Sequence, residues 1–257
     1  MNAFPPAATM KRLLNGRGAG TTFMRGAAGS FAGKSLGLGI GFLLQVALAR
    51  TLGVDELGIY AYALAWVTVV VLVATLGFDT AFMRFVSVYM AQGDWGHLRG
   101  LFSRAARMVM IASLMGAGVL TGMAVFLSQN WPSGQRETFM AAAVLIPLFS
   151  LSALRQAALR GLKRVFLADM PDAVLRPLLI MAALGVCWLY PISPLTARDA
   201  MLIQAGAALA AFLLGGKLLF ASLPQAFRSA VPVYASAHWL KIAFPMFLIS
   251  AMHVVLL

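Results

Sequence analysis

The chain has 257 residues, 61% hydrophobic and only 11% charged, a composition that excludes a water-soluble domain. Twenty Lys and Arg oppose eight Asp and Glu, for a formal charge of +12. The cations gather at alternate junctions between apolar runs without aromatics interleaved for base stacking, so they point to membrane orientation and away from nucleic acid. A single cysteine, Cys187, excludes an internal disulfide.

In chain order, residues 1–27 form a basic tail rich in Pro, Gly and Ala, with no apolar core of the kind a secretory signal needs. Lys11, Arg12, Arg17 and Arg25 lie just ahead of the first apolar run and are expected on the cytoplasmic side. The first predicted span runs from Gly29 to Leu52 and carries Lys34 near its start. Gly29, Gly33, Gly37 and Gly41 recur at every fourth residue and make one face for close helix packing. A short junction over 53–56 leads to the second predicted span, Leu57 to Phe78.

After Asp79 and Arg84, the segment 87–107 sets Trp95, Leu98, Leu101 and Phe102 against Arg99, Arg104 and Arg107. That pattern suits an amphipathic helix lying on the membrane surface. Met108 to Ser128 reads as the third span, 129–136 as a turn, and Thr138 to Leu154 as the fourth span, with Pro147 expected to kink it. The connection 155–176 is the most basic stretch; Pro177 to Tyr190 and Ala200 to Gly216 are the fifth and sixth spans. Residues 242–257 open a seventh apolar run and the chain stops inside it, as a truncated sequence would. The expected architecture is all-α and polytopic: a six-helix transmembrane bundle over 28–222, then a connection and the start of a seventh helix over 223–257.

The cations divide sharply between junctions. Sixteen sit in the tail and in junctions 79–107 (Arg84, Arg99, Arg104, Arg107), 155–176 (Arg155, Arg160, Lys163, Arg164, Arg176) and 217–241 (Lys217, Arg228, Lys241). The intervening junctions hold only Arg50, Arg136 and Arg198, which predicts a cytoplasmic N-terminus. Span length then forces two charges inward. Only 15 uncharged residues separate Lys34 from Arg50, and 17 separate Glu137 from Arg155, where about 20 are needed to cross. Lys34 and Arg155 are therefore expected at the cytoplasmic edge of the hydrocarbon, with Arg84 and Arg176 at neighbouring span ends. The alternative reading of each is a snorkelling side chain that reaches the headgroups. Asp79 falls at a similar depth to Lys34 and is a candidate ion-pair partner or coupling group.

No motif supports catalysis. Gly33, Lys34 and Ser35 match the end of a phosphate loop, but position 28 is alanine and no strand precedes it. The three histidines are scattered, without metal-ligand spacing, and no nucleophile has a base beside it. Neither a cofactor nor a metal is expected. Asp169 and Asp172 share a helical face at i, i+3, and read as a solvated loop beside many arginines.

Four stretches carry a family resemblance: 25–67, with A-R-x-L-G-x-x-E-x-G-x-Y inside it; LGFDTAFMRFV; GDWGHLRGLFSRAAR; and LRGLKRVFLADMPDAVLRPLL. They resemble the N-terminal half of bacterial polysaccharide-biosynthesis flippases, in the multidrug/oligosaccharidyl-lipid/polysaccharide exporter superfamily. The resemblance implies an all-helical transporter of 12 to 14 spans in two bundles that rock around a central cavity. It also implies a lipid-linked glycan, undecaprenyl diphosphate-linked, as substrate in the inner membrane, with a polysaccharide polymerase or assembly machinery as an expected partner. Lys34, Arg84, Arg155 and Arg176 would hold the diphosphate, and Asp79 would couple movement to an ion or neutralise Lys34. A drug or cation exporter would want acids deep in the spans. A membrane-embedded glycolipid-processing enzyme would want a His-rich external loop, and a non-transporting scaffold would need neither.

Overall fold

The computed structural model describes residues 17–235, apart from 76, 127–133 and 190–194, and single positions between 239 and 252; for 17–34 it describes the backbone only. Every regular element among the described residues is helical. Five helices are long and apolar enough to cross a membrane: Ser35–Ala74, Trp95–Phe126, Gln135–Gly161, Val165–Leu189 and Ala197–Ser222. The fold is all-α and of membrane type.

The sequence predicts six spans where five long helices stand, and the difference lies in α1 (Arg17–Ala74). Its 40-residue apolar part would extend about 60 Å, twice the hydrocarbon thickness of about 30 Å. Gly53 breaks it with φ 76° and ψ 180°, a conformation open to a residue without Cβ. Positions 41, 44, 45 and 48 before the break line the same cavity as 60, 61, 64, 65 and 68 after it. The chain therefore doubles back at the predicted 53–56 junction.

A left-handed Gly77 ends this arm and starts α2 (Phe78–Gln92), closed in turn by a left-handed Gly93. Next comes α3 (Trp95–Phe126), one unbroken helix of 32 residues. Here the structure corrects the surface-helix expectation. Leu98, Leu101 and Ala105 are fully buried against the bundle, so 95–107 is the base of the third span rather than a separate helix on the bilayer. An apolar stripe opposite arginines suits either arrangement, and only the packing partner distinguishes them.

α4 (Gln135–Ala143) and α5 (Leu145–Gly161) form one span with a step at Val144. Pro147 lies three residues on and has no N–H to offer the Ala143 carbonyl, which accounts for a step at this place. A turn with Lys163 at φ 61° leads to α6 (Val165–Met170) and a π-helical stretch, Pro171–Leu175. It continues into α7 (Arg176–Leu189). Thr196 then caps α8 (Ala197–Ser222) through a reciprocal box with Asp199, and α9 (Gln225–Ser229) follows.

The cation-rich junctions meet at one end of the bundle. Ser87 Oγ donates to the Gly161 carbonyl at 3.0 Å, and Arg99 donates to the carbonyls of Arg228 and Ala230 at 2.8 and 2.7 Å. The cation-poor junctions meet at the other, where the Ala197 N–H donates to Glu56 at 2.6 Å and Arg198 pairs with Glu137 at 2.8 Å. Most of the expected turn at 129–136 and of the expected seventh run lie outside the described residues.

Candidate functional site

The site grows from the turn after α5. Leu162 and Arg164 donate back to the Ala158 and Leu159 carbonyls at 3.0 and 2.9 Å, so the chain reverses and α6 runs beside the end of α5. Pro171 lacks the amide that would continue the α ladder, and the Arg176 N–H reaches instead to the Pro171 carbonyl, five residues back. This π stretch delivers Asp172 to the side of α5.

There the carboxylate accepts from Arg155 Nη2 and, at 3.0 Å, from Gln156 Nε2. One turn on, Arg176 Nη1 stands 3.8 Å from the other Asp172 oxygen, and its guanidinium lies 4.8 Å from the Phe149 ring centre. At the outer edge Arg160 pairs with Asp169 at 2.6 Å and donates to Gln156 at 3.1 Å. Three arginines thus share two carboxylates and one amide, which leaves the cluster with one net positive charge. The expectation of a solvated loop at Asp169 and Asp172 is overturned. Both residues are helical, and each holds an arginine of α5.

Arg155 is the most deeply placed of these cations, only 4% exposed. Its guanidinium occupies the space where Gly215 of α8 has no side chain; a Cβ there would fall 1.5 Å from Nη1. Nε and Nη1 have no hydrogen-bond partner. A buried guanidinium with two idle donors is costly, and Asp172 offsets only part of that cost.

A cavity of about 600 Å³ opens beside the cluster. Arg160, Asp169, Asp172, Arg176 and Gln156 supply its polar wall, while Leu36, Leu38, Val165, Phe166 and Val174 supply an apolar one. Gly37 sets the α1 side of it: a Cβ there would sit 3.1 Å from that of Ala173, a tight contact that would press α1 away from the π stretch by a few tenths of an ångström. A second cavity, of about 430 Å³, lies between the two arms of α1, α7 and α8. Arg176 borders both.

Of the sequence-derived candidates, Arg155 and Arg176 come together through Asp172. The side chain of Lys34 lies outside the described residues, though its backbone is one helical turn from the Leu36 to Leu38 wall. Arg84 is exposed on α2 and borders neither cavity. Asp79 occupies the first turn of α2, where the helix dipole favours a carboxylate, and its Oδ1 is buried without a hydrogen-bond partner. Its proposed pairing with Lys34 falls outside the described residues. Sequence reading missed Gln156 and Gly215 as parts of the site, because neither belongs to a motif and each matters only through a neighbour on another helix.

A family model described as polysaccharide biosynthesis protein matches residues 23–257. The chain belongs to that family. No curated protein and no solved structure matches it. With its long apolar helices, this polysaccharide biosynthesis protein is a membrane protein, and membership of the family gives it a flippase or exporter role in general terms.

Proposed function

We propose that the protein moves a glycan linked to a polyprenyl diphosphate, of the undecaprenyl kind, between the leaflets of the bacterial inner membrane. The N-terminus and the cation-rich end of the bundle face the cytoplasm in this reading. One observation carries it: a cavity with an apolar wall beside a net-positive arginine cluster, at the end of the bundle where the cations concentrate. Such a cavity suits an amphiphile with an anionic head, the lipid tail along Leu36, Leu38 and Phe166 and the diphosphate at Arg176, while Arg155, which borders neither cavity, anchors Asp172 from behind.

Asp172 acts as the resident anion. It holds two arginines in place without their full attraction being spent, since Arg155 keeps two donors idle and Arg176 stands at 3.8 Å. An arriving diphosphate competes with Asp172 for Arg176 and loosens that contact, which gives a physical link between binding and movement of α7 against α5. Export of cationic drugs suits the cavity less well, because both of its carboxylates are already paired with arginines.

The test replaces Arg176 by Gln in cells whose surface glycan depends on this protein. Glycan export is expected to fall at least about tenfold at unchanged membrane levels, in line with the loss of a charge-assisted contact. Lys34→Ala is expected to act in the same direction. Unchanged export in Arg176→Gln at normal levels overturns the diphosphate assignment.

A further inference from the structure

The second cavity differs in chemistry from the first. Its polar groups are Gln45, Tyr60, Thr68, Gln204 and the shared Arg176, with no carboxylate among the residues that border it. Gln204 is 5% exposed, and its Oε1 is buried with no hydrogen-bond partner. A buried amide oxygen in this state calls for a donor from whatever enters.

A second, independent observation concerns the mouth. Gln45 is exposed in the middle of an apolar helix, flanked there by the small residues Gly41, Ala61 and Ala65, whereas the exposed Thr68 hydroxyl donates to the Leu64 carbonyl at 2.9 Å. Polar side chains at such depth face protein or a polar cleft rather than lipid. Leu44, Leu48, Leu64 and Ile180 complete the walls with apolar surface. The combination of neutral donors and acceptors, apolar faces and a volume of about 430 Å³ suits one small, uncharged, hydroxyl-rich ring.

We infer that this cavity is a sugar subsite: it takes the ring joined to the diphosphate, Gln204 accepting a sugar hydroxyl or amide proton, while Arg176 holds the phosphate between the two cavities. The assignment deepens the proposed flippase reading and rests on it. It also assigns a task to the position of Arg176, which borders both cavities.

The experiment measures binding to the purified full chain in nanodiscs. The probes are a polyprenyl diphosphate without sugar and the same lipid carrying one glucose, galactose or N-acetylglucosamine. At least one sugar-bearing probe is expected to bind about tenfold more tightly than the bare lipid. Gln204→Leu removes that advantage and leaves the bare lipid's affinity unchanged, whereas Arg176→Gln weakens every probe. Should Gln204→Leu fold poorly, Gln45→Leu at the exposed mouth carries the same test and is expected to reduce the advantage. Equal binding of bare and sugar-bearing lipids by the unmodified chain overturns the sugar subsite and leaves the flippase reading intact. A sugar advantage that survives both glutamine substitutions overturns it as well. If no probe binds at all, the flippase reading falls and takes the subsite with it.

Discussion

The two buried cores of this bundle are filled by different kinds of side chain. Around α2, the base of α3 and the end of α5, the largest buried side chains are Phe78, Phe82, Phe85, Phe227 and Trp239. Around α1, α4 and α8 nine of the twenty buried residues among those described are alanines, including Ala63, Ala142, Ala200 and Ala208, beside the two rings of Tyr60 and Phe139. Rings at one end lock to one another, Phe102 meeting Phe82 at 4.9 Å and Phe227 at 5.3 Å, while Trp239 Nε1 donates to the Tyr89 hydroxyl at 3.0 Å. The alanine-rich core packs helices closely but leaves the 430 Å³ cavity along its flank. Large side chains fix geometry and small ones leave room, so the contrast separates a rigid base from a region able to admit a ligand.

The sharpest way to break this contrast is Phe82→Ala, which empties the centre of the aromatic core. It is expected to cost about 3 to 5 kcal/mol, read as a lowered melting point in detergent. A smaller loss is expected from Gly100→Ala. The segment after α9 lies directly on α3, its Val233 N–H donating to the Gly96 carbonyl at 3.0 Å, and a Cβ on Gly100 would fall 1.8 Å from the Val233 carbonyl oxygen. Displacing that backbone is expected to cost about 1 to 3 kcal/mol and to speed hydrogen exchange at 231–235.

Ala65→Leu probes the other region. Because Ala65 is exposed at the cavity rim, the melting point should change by the equivalent of no more than about 0.5 kcal/mol while glycan export falls. A large stability loss there would show that the rim is packed core and would erase the distinction between the regions. Arg198→Ala sets the baseline. Its partner Glu137 and Arg198 itself are 57% and 54% exposed, so losing the pair is expected to cost well under about 1 kcal/mol.

Much of the fold is legible in the sequence because hydrocarbon imposes its length on apolar runs. The junction at 53–56 follows from that rule, the step near Pro147 from proline's missing N–H, and the gathering of cations at one end from the charge asymmetry of the junctions. The surface-helix reading of 95–107 failed because an amphipathic stripe does not reveal whether lipid or protein covers it. At the site, span length marked Arg155 as unusually deep, and the structure places it buried. Its partner was not legible: Asp172 is 17 residues away and reaches it only through the turn at 162–164 and the π stretch. The space supplied by Gly215 comes from a helix further on, and no local pattern announces such a vacancy.

The π stretch has a mechanical consequence. A π turn carries about one residue more than an α turn, and one residue in an α-helix corresponds to about 100° of rotation. Pro171–Leu175 therefore sets the angular phase of all of α7 relative to α6. Wound as an ordinary α-helix, the same five residues would swing Arg176 about a quarter turn off its present bearing. In that sense the five residues work as an indexing collar, and the alignment of both cavities on one guanidinium depends on a single extra amino acid.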